Sequence, residues 1–478
     1  MILPLDVLAR SVLRDEEAVR RHDTAVWSLR QKRDAAAAAV PDFEALRDRA
    51  AALKDHTLDH LDVYLERFEA RAREAGAAVH WADDAAALCG IVSRLLAERG
   101  ATRVVKSKSM LTEECRLNPH LEARGIEVTD TDLGERIVQL GAEPPSHLLV
   151  PAIHRTRAEI GELFHHRMGS PAGETDPVRL MAHARRDLRR RFLDAQAGIT
   201  GANFAVAETG SLVIVTNEGN ADLGTSLPPL HVACVGIEKI VPTLDDAAVL
   251  LRLLARSATG QPISAYTSVL TGPRPGAELH VILVDNGRSR LLASPGHRRA
   301  LRCIRCGACL NTCPVFRRAG GHSYGTAVGG PIGAVLAPAL ATLGASSASA
   351  SEASAVQRLG ASEANAASTL PYASSLCGSC TAVCPVRIDL HEQLLAWRRE
   401  APTAPPGLAR SARIAAAVLA HPRLYRAAGR FARLAWPLLR RAGGRGPAAA
   451  WLRARELPPH PGPRFGTLFA RRARGRRR

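Results

Sequence analysis

The sequence predicts a helical N-terminal segment, an α/β domain with a largely parallel sheet, a small α-helical ferredoxin-like module and a basic tail. Three observations carry this reading. Short β-branched runs alternate with helical patterns between residues 76 and 296, seven of the ten cysteines fall in two runs between 303 and 384, and 18 arginines lie beyond residue 400. Strands that alternate with helices argue for βαβ units and hence a parallel sheet.

Residues 1–75 contain no glycine and repeat Leu58, Leu61, Tyr64, Leu65 and Phe68 at helical spacing, which predicts an N-terminal helical segment. Over 76–296 the candidate strands are ATRVVKS (101–107), IEVTD (126–130), FAVAE (204–208), SLVIVTN (211–217), HVACVG (231–236) and LHVILVD (279–285). Residues 297–400 hold the cysteine runs, interrupted by an Ala/Ser-rich insert over 341–369 of the composition typical of linkers. The net charge of +18 belongs almost wholly to residues 401–478, where 18 arginines face one acidic residue, Glu456. Leu408, Ile414, Val418, Leu424, Phe431, Leu434 and Leu438 recur within that tail, predicting one or two short basic amphipathic helices suited to peripheral contact with anionic lipid or an acidic partner. Aromatic residues for base stacking are sparse, which argues against nucleic acid.

The N-terminus reaches charged residues too early for a signal-peptide core, and clustered thiols require a reducing compartment, so a cytoplasmic location is expected, with membrane association through the tail. The long uncharged stretch 319–351 is broken by Gly329, Gly330, Pro331 and Pro338, which removes it as a spanning helix.

Cys303, Cys306, Cys309 and Cys313 are spaced C-x2-C-x2-C-x3-C and followed by Pro314. This is the bacterial ferredoxin pattern, in which the fourth cysteine serves the other cluster of a pair. Cys377, Cys380 and Cys384, followed by Pro385, supply the second, third and fourth positions of the same pattern, while the first falls on Ser374. The cross-over rule then assigns Cys303, Cys306, Cys309 and Cys384 to one [4Fe-4S] cluster and Cys313, Cys377 and Cys380 to a second. The second is one cysteine short. Three options are open: a [3Fe-4S] cluster, a four-iron cluster with a non-cysteine or substrate-accessible fourth position, or a remote cysteine folding in. Cys89, Cys115 and Cys234 are the remote candidates, each in an apolar or helical context where a free cysteine behaves as a small hydrophobe. Zinc ribbons also use closely spaced cysteines, but as pairs.

Some motifs are decoys. GHSYG at 321–325 matches a nucleophile elbow around Ser323, yet it follows a cluster loop rather than a strand. Neither a Walker A sequence nor G-x-G-x-x-G is present.

KSKSMLTEE (106–114), TDLGERIVQL (131–140), PSHLLVPAIH (145–154), GITGANFAVAETGSLVIVTNEGN (198–220), LPPLHVACVGIEKIVP (227–242), DNGRSRLL (285–292) and the segments around both cysteine runs together resemble the B component of the lactate-utilisation iron-sulfur family, of the LutABC type. The resemblance covers roughly residues 1–400 and is weakest in the insert and tail. It implies a LUD domain similar to the sugar-isomerase and CoA-transferase fold, followed by a two-cluster domain. It also implies an electron carrier, with A and C proteins as partners, in NAD-independent oxidation of L-lactate to pyruvate. An electron-transfer subunit for another 2-hydroxy acid such as glycolate, or a redox-sensing ligand-binding regulator, is the alternative.

Within the α/β domain, Glu208, Thr209, Asn217 and Glu218 gather at strand ends and glycine turns, where open α/β sheets bind ligands. Lys106 and Lys108, leaving another predicted strand, are candidates for a carboxylate or phosphate, with surface charge as the competing explanation. His154 and His231 sit beside apolar strand residues and read as core or interface histidines.

Overall fold

The computed structural model describes residues 5–341, 367–400, 406–441, 459, 462–463 and 465–475, so most of the Ala/Ser-rich insert lies outside the described residues. The chain forms two compact units, Met1–Pro402 and Thr403–Arg478.

The first unit begins with four helices, α1 (Leu5–Val12), α2 (Glu16–Ala38), α3 (Phe43–Asp59) and α4 (Leu61–Glu74). Asp15 caps α2 by accepting the Ala18 amide, satisfying one of the amides a helix start leaves unpaired. The predicted spacing becomes a buried stripe on α4: Leu61, Leu65, Phe68 and Ala72 pack against Val79, Val235 and Val281 of the sheet. Helices α2 and α3 face elsewhere. Their Val26, Phe43, Leu46 and Ala50 share a core with Leu310, Phe316 and five cysteines of the two runs, so the N-terminal segment clasps both halves of the unit.

Six parallel strands form the main sheet in the order β1-β10-β7-β4-β2-β3, where β1 is Ala78–Ala82, β2 Arg103–Lys106, β3 Glu127–Asp130, β4 Ala197–Gly201, β7 Leu230–Gly236 and β10 Glu278–Val284. A second sheet, β8-β5-β6-β9, uses Ile240–Val241, Phe204–Val206, Ser211–Thr216 and Tyr266–Leu270. It is mixed, since β5 pairs antiparallel with β6 but parallel with β8. All six predicted strands form within two residues of their expected bounds. The sequence reading missed β1, β4, β8 and β9. Strand β4, AGITG, lacks the usual strand composition because Gly198 passes so close to helix Asn220–Ser226 that a Cβ would lie 1.9 Å from the Gly224 carbonyl oxygen.

The register aligns Ile199 with Val232 and Val281 with Ala233, so the middle strands β4, β7 and β10 are apolar on both faces. All six strands are parallel, so their C-terminal ends open on one side, and the cysteine module packs there.

The second unit contains helices Pro406–Ala420, Pro422–Arg441 and Phe465–Gly475. On the middle one Leu424, Phe431, Leu434 and Leu438 form one exposed apolar face among arginines. No helix among the described residues is long and apolar enough to cross a membrane.

Two buried histidines make the first unit acid-sensitive. His231 meets Thr200 at 2.8 Å and His147 meets Asn311 at 2.8 Å, and burial pushes both down to about 4. Between pH 6.5 and 4 the unfolded chain binds protons that the folded chain refuses. Stability is therefore full above the unfolded value and falls as pH drops toward 4, by up to roughly 3 kcal/mol for each histidine. Denaturant titrations at pH 7 and pH 5 should show this loss, and His231→Gln should reduce the slope by about half.

Candidate metal centres

The two cysteine runs fold as a structural repeat. Arg305 and Leu376 precede the second cysteine position with φ of 60° and 54°, and Gly307 and Gly378 follow it with φ of 72° and 78°. Each glycine caps a five-residue helix, Ala308–Thr312 or Ser379–Val383. Each helix ends in an extended cysteine, Cys313 or Cys384, with ψ of 119° in both, and a proline follows. Left-handed residues on either side of a cysteine turn successive amides inward. Thus Arg305 N donates to Cys303 Sγ at 3.4 Å, and Ile388 N donates to Cys384 Sγ at 3.3 Å.

Cys303, Cys306, Cys309 and Cys384 line one small cavity with Gly307, Pro385 and Ile332. Cys313, Cys377 and Cys380 are one another's electrostatic neighbours. Burial holds Cys380 up at about 12, and Cys313 and then Cys377 add to that rise. Burial likewise raises Cys384 to about 11. Thiols held this high stay protonated until a metal displaces the proton, so metal loading must release protons. Cys377 is exposed and Cys303 half-buried, while the other five are buried.

A cubane needs thiolates spread around its corners and donors aimed at its sulfides. Donors of that kind are present and unpaired: Tyr324 Oη, Asn311 Nδ2 and Arg305 Nη1 are buried without a partner among the described residues. Tyr324 is 1% exposed, and after burial the thiols that act on its hydroxyl are Cys313 and Cys309, one from each predicted ligand set.

The second cysteine run is held by arginines from the N-terminal helices. Arg47 donates to Cys384 O at 2.7 Å and Ala382 O at 2.7 Å, and Arg33 donates to Val383 O at 3.1 Å. Arg302 pairs with Asp55, and Arg387 with Asp48 at 2.8 Å. Thr312 and Ser379 join hydroxyls across the two repeats, with Arg30 donating to Thr312.

A cavity of about 370 Å³ lies between this module and the C-terminal ends of the strands. Its wall includes Lys108, Asn203, Asn217, Glu218, Lys239 and Arg305, with Met110, Leu148, Leu149 and Leu254 as its apolar part. Arg288 bridges Glu238 at 2.6 Å and Glu114 at 2.9 Å, and Arg305 holds Glu114 at 2.7 Å. Lys239 has no hydrogen-bond or ion-pair partner among the described residues, and burial lowers its pKa. Fully buried Lys54 stands behind it, donating to Glu238 O at 2.5 Å and pushed down to about 8 by burial.

Of the predicted ligand-site residues, Lys108, Asn217 and Glu218 line this cavity. Lys108 is bonded to Asp132 at 2.6 Å. Lys106 does not reach it: it is wholly buried, bridging Asp130 at 2.9 Å and Glu113 at 3.1 Å, and acts as the centre of a buried ion network. Glu208 accepts the Leu244 amide and Thr209 meets Ser211, so both serve turns. His154 pairs with Glu143. Ser323 is buried in a 3-10 turn, donating to Ala319 O at 2.5 Å, which removes it as a nucleophile. Cys89, Cys115 and Cys234 pack in the core behind the parallel sheet, apart from the core that holds Cys306, Cys309, Cys313, Cys380 and Cys384. The sequence reading missed Lys239, Arg305, Arg47 and Tyr324. Only Arg305 and Tyr324 carried a signal, one lying inside a cysteine run and the other inside GHSYG.

Residues 65–291 match the LUD domain model and residues 299–388 the 4Fe-4S dicluster domain model. Fold and site together define an iron-sulfur electron-transfer protein built on a LUD domain. The chain is 45% identical over 364 residues to lactate utilization protein B of Geobacillus thermodenitrificans, covering 75% of this chain and 72% of that one. It is 43% identical over 378 residues to lactate utilization protein B of Shouchella clausii, covering 78% and 75%. An uncharacterized electron transport protein, YkgF, of Escherichia coli is 45% identical over 363 residues, covering 75% and 72%. The chain belongs to the lactate utilization protein B family. A crystal structure of a duf162 family protein from Deinococcus radiodurans matches 47% of this chain and 98% of its own, with 18% identity and a TM-score of 0.27.

Tyr324→Phe removes the orphaned hydroxyl and little else. A hydrogen bond to a cluster sulfur favours the more negative, reduced state, so the variant should bind the same iron but titrate lower by a few tens of millivolts, where roughly 60 mV is a tenfold change in a one-electron equilibrium. An EPR-monitored redox titration reads this directly.

Proposed function

We propose that this protein carries electrons from L-lactate oxidation through two clusters, one [4Fe-4S] on Cys303, Cys306, Cys309 and Cys384 and a second on Cys313, Cys377 and Cys380. The observation that carries the proposal is the shared cavity of the first four cysteines, because Cys384 comes from the second run and the cross-over requires it there. When bound, such clusters accept and release single electrons. The chain's own part is to hold the thiolates, supply donors to the sulfides and exclude water with α2 and α3.

The relatives' shared name motivates the pathway, and the A and C proteins of the same system are the expected partners. Exposed Cys377 gives the second cluster a solvent-facing side at which a partner could exchange electrons, while the first has three buried cysteines and half-buried Cys303. The arginine-rich helix Pro422–Arg441, with its exposed apolar face, supports peripheral contact with an anionic membrane from the cytoplasmic side. The cavity beside Cys303 has the chemistry to hold a small organic acid. Lys239 and Arg305 Nη1 offer unpaired donors to a carboxylate, whereas Asp132, Glu218 and Glu238 in the same wall disfavour a dianion.

The test is anaerobic reduction of the purified holoprotein by L-lactate in the presence of the A and C proteins, read by EPR. Lactate-dependent cluster signals support the assignment. Reduction by glycolate alone would transfer the same module to another 2-hydroxy acid, and no reduction by either would remove the physiological reading.

Two further outcomes are expected. Cys384→Ala should abolish the first cluster and spare the second, and Cys313→Ala should do the reverse, each halving the iron content, roughly, by direct assay. Isothermal titration of the holoprotein with L-lactate or pyruvate should give binding that Lys239→Gln weakens about tenfold, the effect of losing one charge-assisted contact of about 1.5 kcal/mol. Equal affinity in the variant would place the acid elsewhere.

A further inference from the structure

The position where the second cysteine run lacks a ligand is not structurally vacant. Ser374 stands three residues before Cys377 as Cys303 stands three before Cys306. The backbone between them is the same: left-handed Leu376 corresponds to left-handed Arg305, followed by a cysteine and then a left-handed glycine opening a short helix.

The hydrogen bonding repeats as well. Leu376 N donates to Ser374 Oγ at 3.1 Å, just as Arg305 N donates to Cys303 Sγ at 3.4 Å. In the first repeat that amide supports a sulfur that faces the ligand cavity. In the second it supports a hydroxyl oxygen on the equivalent atom of the side chain. Ser374 is half-buried, and Arg398 donates to its carbonyl at 2.8 Å, which anchors the segment independently of any cluster. The remote cysteines pack in a separate core, so none of them stands at this position.

We infer that Ser374 Oγ is the fourth ligand of the second cluster, completing a site of three cysteines and one serine. Binding forms one iron–oxygen bond and releases the hydroxyl proton to solvent, with no change in oxidation state. The Leu376 amide stabilises the resulting alkoxide as an amide stabilises a thiolate. A serine oxygen is a harder donor than a thiolate sulfur and favours ferric iron, so the second cluster should titrate below an all-cysteine counterpart. The inference rests on the two-cluster reading above, and the first cluster serves as a control in the same molecule.

The experiment compares full-length wild type, Ser374→Ala and Ser374→Cys, purified anaerobically, by iron analysis, Mössbauer and EPR spectroscopy. Wild type should hold about eight irons. Ser374→Ala should lose about one iron and show an oxidised three-iron signal, with the first cluster unchanged. Ser374→Cys should restore the count and raise the second cluster's potential. An Ala variant with the iron count and spectra of wild type would overturn the inference, reducing Ser374 to an ordinary serine turn. A second cluster holding only three irons in anaerobic, reduced wild type would also overturn it. Absence of both clusters from every variant would instead count against the two-cluster reading itself.

Discussion

Cys384 must reach the cavity formed by Cys303, Cys306 and Cys309 from a distant part of the chain, and the rest of the structure depends on its being held there. Short spacings let three thiolates of one run wrap a cluster, but the fourth is a long-range contact with a loop-closure cost. That cost is offset by helices from the opposite end of the sequence. Arg33 and Arg47 bond the carbonyls of Ala382, Val383 and Cys384, while Arg302 and Arg387 reach acids on α3. The charged arginines therefore serve as backbone clamps. Removing one would leave buried carbonyls without donors, which is costly in a low-dielectric interior.

The same constraint explains the electrostatics between the two halves of the first unit. Strand ends of the parallel sheet and the first cysteine run meet across a layer of ions: Arg288 between Glu114 and Glu238, Arg305 on Glu114, and Lys54 and Lys239 behind them. These cations outnumber the two glutamates, and an anionic cluster on Cys303 would balance the excess. Lys239 and one nitrogen of Arg305 remain unpaired even so, at the wall of the cavity between the module and the strand ends. Charge, cavity and the first cysteine run thus coincide at the place where open α/β sheets ordinarily bind ligands.

Much of this was legible in the sequence because it depends on local spacing. The cysteine intervals, the six β-branched strands and the stripe on α4 are short-range patterns, and each is expressed in the fold. What was not legible depends on distant approach. Strand β4 was hidden because Gly198 is there to admit a passing helix, and β9 is an exposed edge without apolar alternation. Lys106 looked like a ligand residue because it leaves a strand beside Lys108. Only the fold shows that one lysine points into a buried acid network and the other into a cavity. Arg47 and Lys239 carried no sequence signal at all, since nothing near either residue announces what it will touch.

The most direct test of the account is EPR of the fully reduced, anaerobically purified chain. On the proposed assignment Cys309 and Cys313, four residues apart, bind different clusters, so the two clusters must be magnetic neighbours. The predicted result is a pair of reduced signals broadened and split by mutual spin coupling, which simplify to a single uncoupled signal when Cys313 is replaced by alanine. A single uncoupled signal in wild type, or zinc in place of iron after anaerobic reconstitution, would contradict it.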